Sequence, residues 1–328
     1  RQTVFAKSWQ LAGRAEQVRE PGQFITWEIG GEPLLIVRGD DGVLRGFFNV
    51  CRHHAAAVVT EPAGQARNLR CPYHGWTYSL DGELLGTPDF AGVCGFDRAA
   101  NGLAAIETEV WKNWIFVKIE RGGSGLASLL GQDLLQRFPV WENFLWLERR
   151  RYELACNWKV FVDNYLDGGY HIPYLHRGLN SVLAYSDYQI EIGERYCLQW
   201  SPVITGGSDA RTSAVRKGDQ ALYLWIYPNL MINLYEGVMD TNIVIPLGVD
   251  RCAVIFDFYF TDVSEATEAH NLASIAVSER IQDEDVSICE SVQRGLSSRS
   301  YNVGRLSLRR EAGEHLFHKL LFTDLSGE

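Results

Sequence analysis

Residues 51–76 read CRHHAAAVVTEPAGQARNLRCPYHGW. Two short segments within them form a metal-ligand set: Cys51-x-His53 and, after seventeen residues, Cys71-x-x-His74. Thiolates and imidazoles in equal number suit tetrahedral zinc, or a two-iron two-sulfur cluster in which two His replace two Cys on one iron. Zinc motifs keep like ligands together, Cys with Cys and His with His. Here each segment offers one of each. Two loops can then close on a binuclear centre, with Cys51 and Cys71 on one iron and His53 and His74 on the other. Zinc remains the alternative. His54 sits beside a ligand but off the pattern, and reads as a polar loop residue.

The chain around this stretch has 328 residues, enough for two domains with their own cores. Its composition is globular, 46% hydrophobic and 22% charged, with no run long enough to cross a bilayer. No secretory leader is visible. Five further cysteines, Cys94, Cys156, Cys197, Cys252 and Cys289, show no disulfide spacing, which fits a reducing cytoplasm. A formal net charge of −10 argues against a nucleic-acid partner and is compatible with docking a basic redox partner.

Phe5–Ala12 reads as a short lead-in helix or strand. From Gln23 the pattern becomes short alternating runs with turns at Gly30-Gly31 and Asp40-Asp41-Gly42, feeding the first cluster loop. Trp76–Leu85 reads as a hairpin turned at Asp81-Gly82, and Leu103–Ile119 as further strand. Arg121–Gly125 (RGGSG) is the linker candidate. Leu126–Phe138 has helical spacing, stopped by Pro139. Asn157–His176 (NWKVFVDNYLDGGYHIPYLH) carries Trp158, Phe161, Val162, Tyr165 and Leu166 at three- and four-residue intervals, so it reads as an amphipathic helix that bulges or ends at Gly168-Gly169. Strand patterns recur between 180 and 260, broken by a polar, mobile stretch from Gly206 to Gly218. Ser264–Leu296 has one long helical pattern. Strands followed by a helix packed across them suggest an α+β helix-grip domain around a cavity.

The second stretch also offers ligands. His171 and His176 bracket a turn forced by Pro173. Two His and one carboxylate, with open positions, form the facial triad of non-haem Fe(II) oxygenases. Asp283, Glu284 and Asp285 compete for the third place. Asp285 shares a helical stripe with Ile281, Ile288 and Val292, and a carboxylate on an apolar face must be paired or ligate a metal. Asp283 and Glu284 lie on faces that read as solvated. A structural Asp285, bonded to backbone or an Arg, stays open. His315 and His318 lie past the domain core and read as surface.

With these motifs quoted, the chain resembles the α-subunit of a Rieske non-haem iron oxygenase over nearly its whole length. The resemblance rests on the two cluster loops, on Asp163-Asn164-Tyr165 leading into the His pair, and on Gln282–Asp285 running into Cys289–Leu296. It is closer to the choline monooxygenase and quaternary-amine branch than to naphthalene-type dioxygenases. The resemblance implies a small all-β Rieske domain at 23–120 and a START-like, helix-grip catalytic domain at 121–328, with residues 1–22 a lead-in packing on the catalytic domain. It implies a Rieske 2Fe-2S cluster, a mononuclear Fe(II) held by His171, His176 and Asp285, O₂ as cosubstrate, and NAD(P)H acting only through a flavin-containing reductase or ferredoxin. It implies a homotrimer in which one subunit's cluster feeds the neighbour's iron through a bridging carboxylate. By position Asp167 matches that acid, although it lies four residues before His171 where many relatives have three. Asp163 and Asn164 are alternatives on the same face.

The implied reaction is hydroxylation or oxidative N-dealkylation of a small quaternary amine. Trp200, Tyr223, Trp225 and Tyr235 are candidate aromatic groups for the cation, by cation–π attraction. An aromatic-ring oxygenase is the alternative. A Rieske electron carrier or a helix-grip binding protein belongs to other classes.

Overall fold

The computed structural model describes residues 3–131, 134 and 143–327. They divide into two compact units, Arg1–Gly131 and Gln132–Glu328. The boundary falls past the linker glycines, eleven residues after the expected 120. Of the helix expected over Leu126–Phe138, Leu126–Leu130 is helical and closes at Gly131, and the remainder with Pro139 lies outside the described residues apart from Leu134.

The first unit is built on a seven-stranded antiparallel sheet. Its strands are β1 (Gln10–Arg14), β2 (Gln23–Ile29), β3 (Glu32–Arg38), β4 (Leu44–Phe48), β5 (Ala63–Gln65), β9 (Ala105–Trp111) and β10 (Trp114–Lys118), in the order β1-β10-β9-β4-β3-β2-β5. The uninterrupted apolar run Leu34–Val37 is completely buried at its centre. The Gln10–Arg14 segment of the lead-in pairs with Trp114–Lys118 as the edge strand of this sheet, and all five of its residues are buried.

A second, three-stranded sheet of β6 (Leu69–Arg70), β7 (Thr77–Tyr78) and β8 (Leu84–Gly86) carries the hairpin expected at Asp81-Gly82. Gly82 has φ +86, and a Cβ there would lie 2.5 Å from the Phe47 ring. The turn therefore needs glycine twice, for its backbone and for its neighbour.

The second unit has another seven-stranded antiparallel sheet. Its strands are β11 (Leu145–Leu154), β12 (Gln189–Ile192), β13 (Tyr196–Pro202), β14 (Gln220–Ile226), β15 (Leu230–Tyr235), β16 (Val238–Pro246) and β17 (Cys252–Phe260), in the order β11-β17-β16-β15-β14-β13-β12. A long helix, Glu268–Leu296, and a C-terminal helix, Ala312–Ser326, complete it. His315 and His318 of the C-terminal helix are exposed, as expected, while Phe317 between them is fully buried, edge-on to Trp158 and Trp225.

The helix of the Asn157–His176 stretch ends where expected: Trp158–Leu166 is helical with Asn157 as N-cap, and Gly168 and Gly169, at φ +67 and +69, terminate it. One other expectation changes. The polar stretch after Gly206 is anchored. It holds a helix, Ala210–Val215, capped by Asp209, and Thr212, Val215 and Arg216 are buried.

Candidate metal centres and substrate cavity

The two cluster loops are the same turn used twice. Cys51 N–H donates to Ala56 O (2.8 Å) and Cys71 N–H to Trp76 O (2.8 Å), while Ala55 N–H and Gly75 N–H return to the two cysteine carbonyls. The fourth residue after each cysteine has positive φ, Ala55 at 61° and Gly75 at 71°. Both thiols are buried. His53 and His74 stand 4.7 Å apart between ring centroids, and His53 stacks on Trp76 at 4.6 Å. The Tyr78 hydroxyl is 3.3 Å from Cys51 Sγ and accepts from Arg52 N–H. His54 is exposed, as a loop residue, yet its ring lies within ligand range of His53 and His74.

The second centre draws on separate elements. After the Trp158–Leu166 helix ends, Asp167 Oδ2 accepts from the His171 backbone N–H (3.0 Å) and meets His171 Nδ1 at 2.5 Å. The four-residue spacing works as a turn; no continuing helix face is needed. His171 caps a one-turn helix, Ile172–Leu175, with Pro173 in its first turn, which delivers His176 to the same side. Asp285 arrives from the long helix. Its Oδ1 lies 3.1 Å from His176 Nε2 and 3.9 Å from His171 Nε2, and accepts from Asn164 Nδ2 at 2.8 Å.

Asp285 is at the site, but not for the reason its stripe suggested. Ile288 and Val292 are exposed, and the buried stripe of the long helix is Asn271, Ser274, Ser278, Gln282 and Cys289. Asp285 is covered by the two imidazoles. Glu284, read as solvated, bonds His176 Nδ1 at 2.6 Å. Sequence reasoning missed it because Glu284 lies on a face of polar residues and its partner is 108 residues away. Asp163 bonds His318 on the exposed face and Asn164 bonds Asp285, while Asp167 meets His171.

A cavity of about 780 Å³, mouth included, opens beside these ligands. Tyr223 and Tyr235 line it; Trp200 and Trp225 do not. Gln199 lines it, and Trp200, the next residue along the strand, therefore points to the other face. Trp225 shares a face with Tyr223 but lies one repeat further along, where Phe317 covers it. The cavity wall also includes Tyr188, Arg216 and Asp240, which the sequence did not single out. Gln199, Tyr223, Asn233 and Asp240 are successive register partners across β13 to β16, one transverse row facing inward.

Residues 142–325 match the family model "Ring hydroxylating alpha subunit (catalytic domain)", and residues 8–97 match the Rieske [2Fe-2S] domain. The chain belongs to the ring-hydroxylating Rieske oxygenase α-subunits. This Rieske oxygenase is 38% identical over 335 residues to the chloroplastic choline monooxygenase of Arabidopsis thaliana, covering 98% of this chain and 78% of that protein. A quaternary ammonium Rieske monooxygenase solved with its substrate L-carnitine superposes with a TM-score of 0.82 at 26% identity, over 98% of this chain and 90% of that one. Naphthalene 1,2-dioxygenase from Rhodococcus sp. superposes with a TM-score of 0.83 over 100% of this chain and 91% of that one; at 20% identity the likeness concerns the fold alone.

A Rieske cluster and a mononuclear iron are the cofactors of this oxygenase. Two features of the molecule fit them. His53 Nδ1 is buried with no hydrogen-bond partner among the described residues, an expensive state for a ring nitrogen unless it ligates. Among the described residues the groups able to hold an ion include His171, His176 and Asp285, whose ligand atoms lie within 4.8 Å of one another. No helix of the described chain is long and apolar enough to cross a membrane.

Proposed function

We propose that this Rieske oxygenase hydroxylates or oxidatively N-dealkylates a small quaternary amine, with Cys51, His53, Cys71 and His74 holding the cluster and His171, His176 and Asp285 the iron. One observation carries the site assignment. Carboxylates engage Nδ1 of both His171 and His176, which leaves both Nε2 atoms directed at Asp285 beside the cavity. A ligating imidazole is oriented, and made more basic, by such a partner on its other nitrogen. When bound, the cluster supplies single electrons and the iron supplies the oxygen chemistry. The chain itself holds the two rings through Asp167 and Glu284, holds Asp285 through Asn164, and keeps water out with Phe161, Ile172, Leu179 and Phe256. A carrier without catalysis, or a simple binding module, leaves this convergence without a role.

The amine class is supported by the choline and carnitine relatives and by the tyrosines on the cavity wall. The first unit, Arg1–Gly131, is read as the cluster domain and the second, Gln132–Glu328, as the catalytic domain, the latter as a helix-grip fold. Electrons come from a separate flavin-containing reductase or ferredoxin, the subunits form a homotrimer, and the setting is cytoplasmic. Asp167 is the acid that links His171 to the cluster of a neighbouring subunit. The test is a single turnover: reduce the protein, add O₂ with a panel of quaternary amines and aromatic acids, and identify products by mass spectrometry. A hydroxylated or demethylated amine is expected. Product only from the aromatic acids would overturn the amine assignment and keep the iron site.

A further inference from the structure

Arg216 is 4% exposed and forms part of the cavity wall. Its guanidinium donates to Ser274 Oγ (2.7 Å), Ser274 O (3.3 Å) and Ser278 Oγ (2.6 Å), and lies 5.0 Å from the Tyr235 ring centroid. Among the described residues no carboxylate lies within the 4.0 Å of an ion pair with it. A buried cation held only by neutral groups is costly unless an anion completes it. Among the described residues, the acid on the same wall outside the metal centre is Asp240. It makes no ion pair with Arg216 and is instead bonded by Asn233 and Asn242; burial pushes its carboxyl above the usual range, although Asn242, Arg216 and Asn233 pull it down.

The long helix relates Arg216 to the metal centre. Ser274, Ser278, Gln282 and Asp285 follow one another at helical spacing, and the last three line the cavity. Seven residues separate Ser278 from Asp285, about 10 Å along one helix face. Between them stands Gln282, 2% exposed, whose Nε2 has no partner among the described residues. A cation, an unsatisfied amide donor and a metal-ligating carboxylate thus lie in line along one wall.

We propose that Arg216 is a specificity-determining residue that binds a carboxylate on the substrate, so that the preferred substrate is a small zwitterion carrying both a quaternary ammonium and a carboxylate, with choline disfavoured. This rests on the quaternary-amine reading above and narrows it. The carboxylate sits on Arg216 with Gln282 as a second donor, and the N-methyl end extends along the helix toward Asp285. A planar guanidinium has five N–H donors, more than Ser274 and Ser278 use, and suits a carboxylate.

The test compares ligands of one skeleton on the metal-loaded protein without oxygen, by calorimetry. Trimethylglycine and 4-(trimethylammonio)butanoate are titrated beside their carboxamides and methyl esters, and beside choline. At least one acid is expected to bind about tenfold or more tighter than its own amide and ester, and than choline, the size of a charge-assisted hydrogen bond. In Arg216→Gln the acid falls to the affinity of its amide while the amide is unchanged, and Arg216→Lys restores part of the preference. An amide, ester or choline that binds the wild type as tightly as the acids overturns the proposal while leaving the amine reading intact. Binding of no quaternary amine overturns that reading, and the proposal with it. If Arg216→Gln does not fold, the wild-type acid-to-amide ratio still decides.

Discussion

At the residue scale, single hydrogen bonds set the properties of both centres. The Tyr78 hydroxyl lies 3.3 Å from Cys51 Sγ, and donating to a thiolate there it stabilises charge on the proposed cluster ligand, more so after reduction. Tyr78→Phe is expected to leave the cluster assembled and lower its potential, by roughly 40 mV if the bond contributes about 1 kcal/mol to a one-electron couple; voltammetry of the purified protein reads it. Asp167→Asn keeps a bond to His171 but loses the charge. Both metals are expected to remain by metal analysis while steady-state turnover falls at least about tenfold, and unchanged turnover would remove Asp167 from the electron path. The candidate cluster ligands stand out because their chemistry is local: Cys51-x-His53 and Cys71-x-x-His74 need only their spacing. Glu284 does not, since nothing in a helix sequence says which imidazole its carboxylate will meet. Asp285 was found through an apolar stripe that the fold does not bury. Its real signal is the polar stripe beside it, because small buried serines facing an arginine look solvated in sequence.

At the element scale, the turn after Trp158–Leu166 positions the site. A Cβ on Gly168 would lie 2.1 Å from Arg310 O, whereas one on Gly169 would meet side chains at 3.0 Å. Gly168→Ala is expected to destabilise by about 2 kcal/mol or more and Gly169→Ala by less, judged by urea unfolding. The C-terminal helix carries a pH dependence. Burial, then the charges of Asp163, Glu311 and Asp167, pushes the Glu314 carboxyl up to about 9. A carboxyl raised on folding binds its proton more tightly in the native state, so stability falls as pH rises from about 4.5 toward 9. Glu314→Gln is expected to flatten that fall and raise Tm at pH 8 relative to wild type by a few degrees, with little change at pH 4.5; calorimetry at the two pH values checks it. The strands between 180 and 260 were legible as a region, because alternation and turn glycines are local signals, while the strand Leu145–Leu154 was not. Nor was the helix at Ala210–Val215. Its anchors are Arg280 on Asp209 and Thr212, contacts about 70 residues away that no window of sequence contains.

At the scale of the whole chain, the proposed iron ligands come from positions 171, 176 and 285, so the site exists only when the second unit is folded. Ferrous iron is therefore expected to raise Tm in proportion to the logarithm of its free concentration once the site is saturated, and a chelator to lower it. A Tm indifferent to iron would mean the three side chains do not bind it. The transverse row Gln199, Tyr223, Asn233 and Asp240 has a further consequence. Its members sit on four different strands, yet none of the ladder bonds between those strands depends on their side chains, since backbone alone makes them. The row behaves like a line of interchangeable type set in a fixed frame. Re-lettering these four positions together alters what the chamber accepts while the frame stays in print, and a small combinatorial library confined to them is the natural place to seek oxygenases with new tastes.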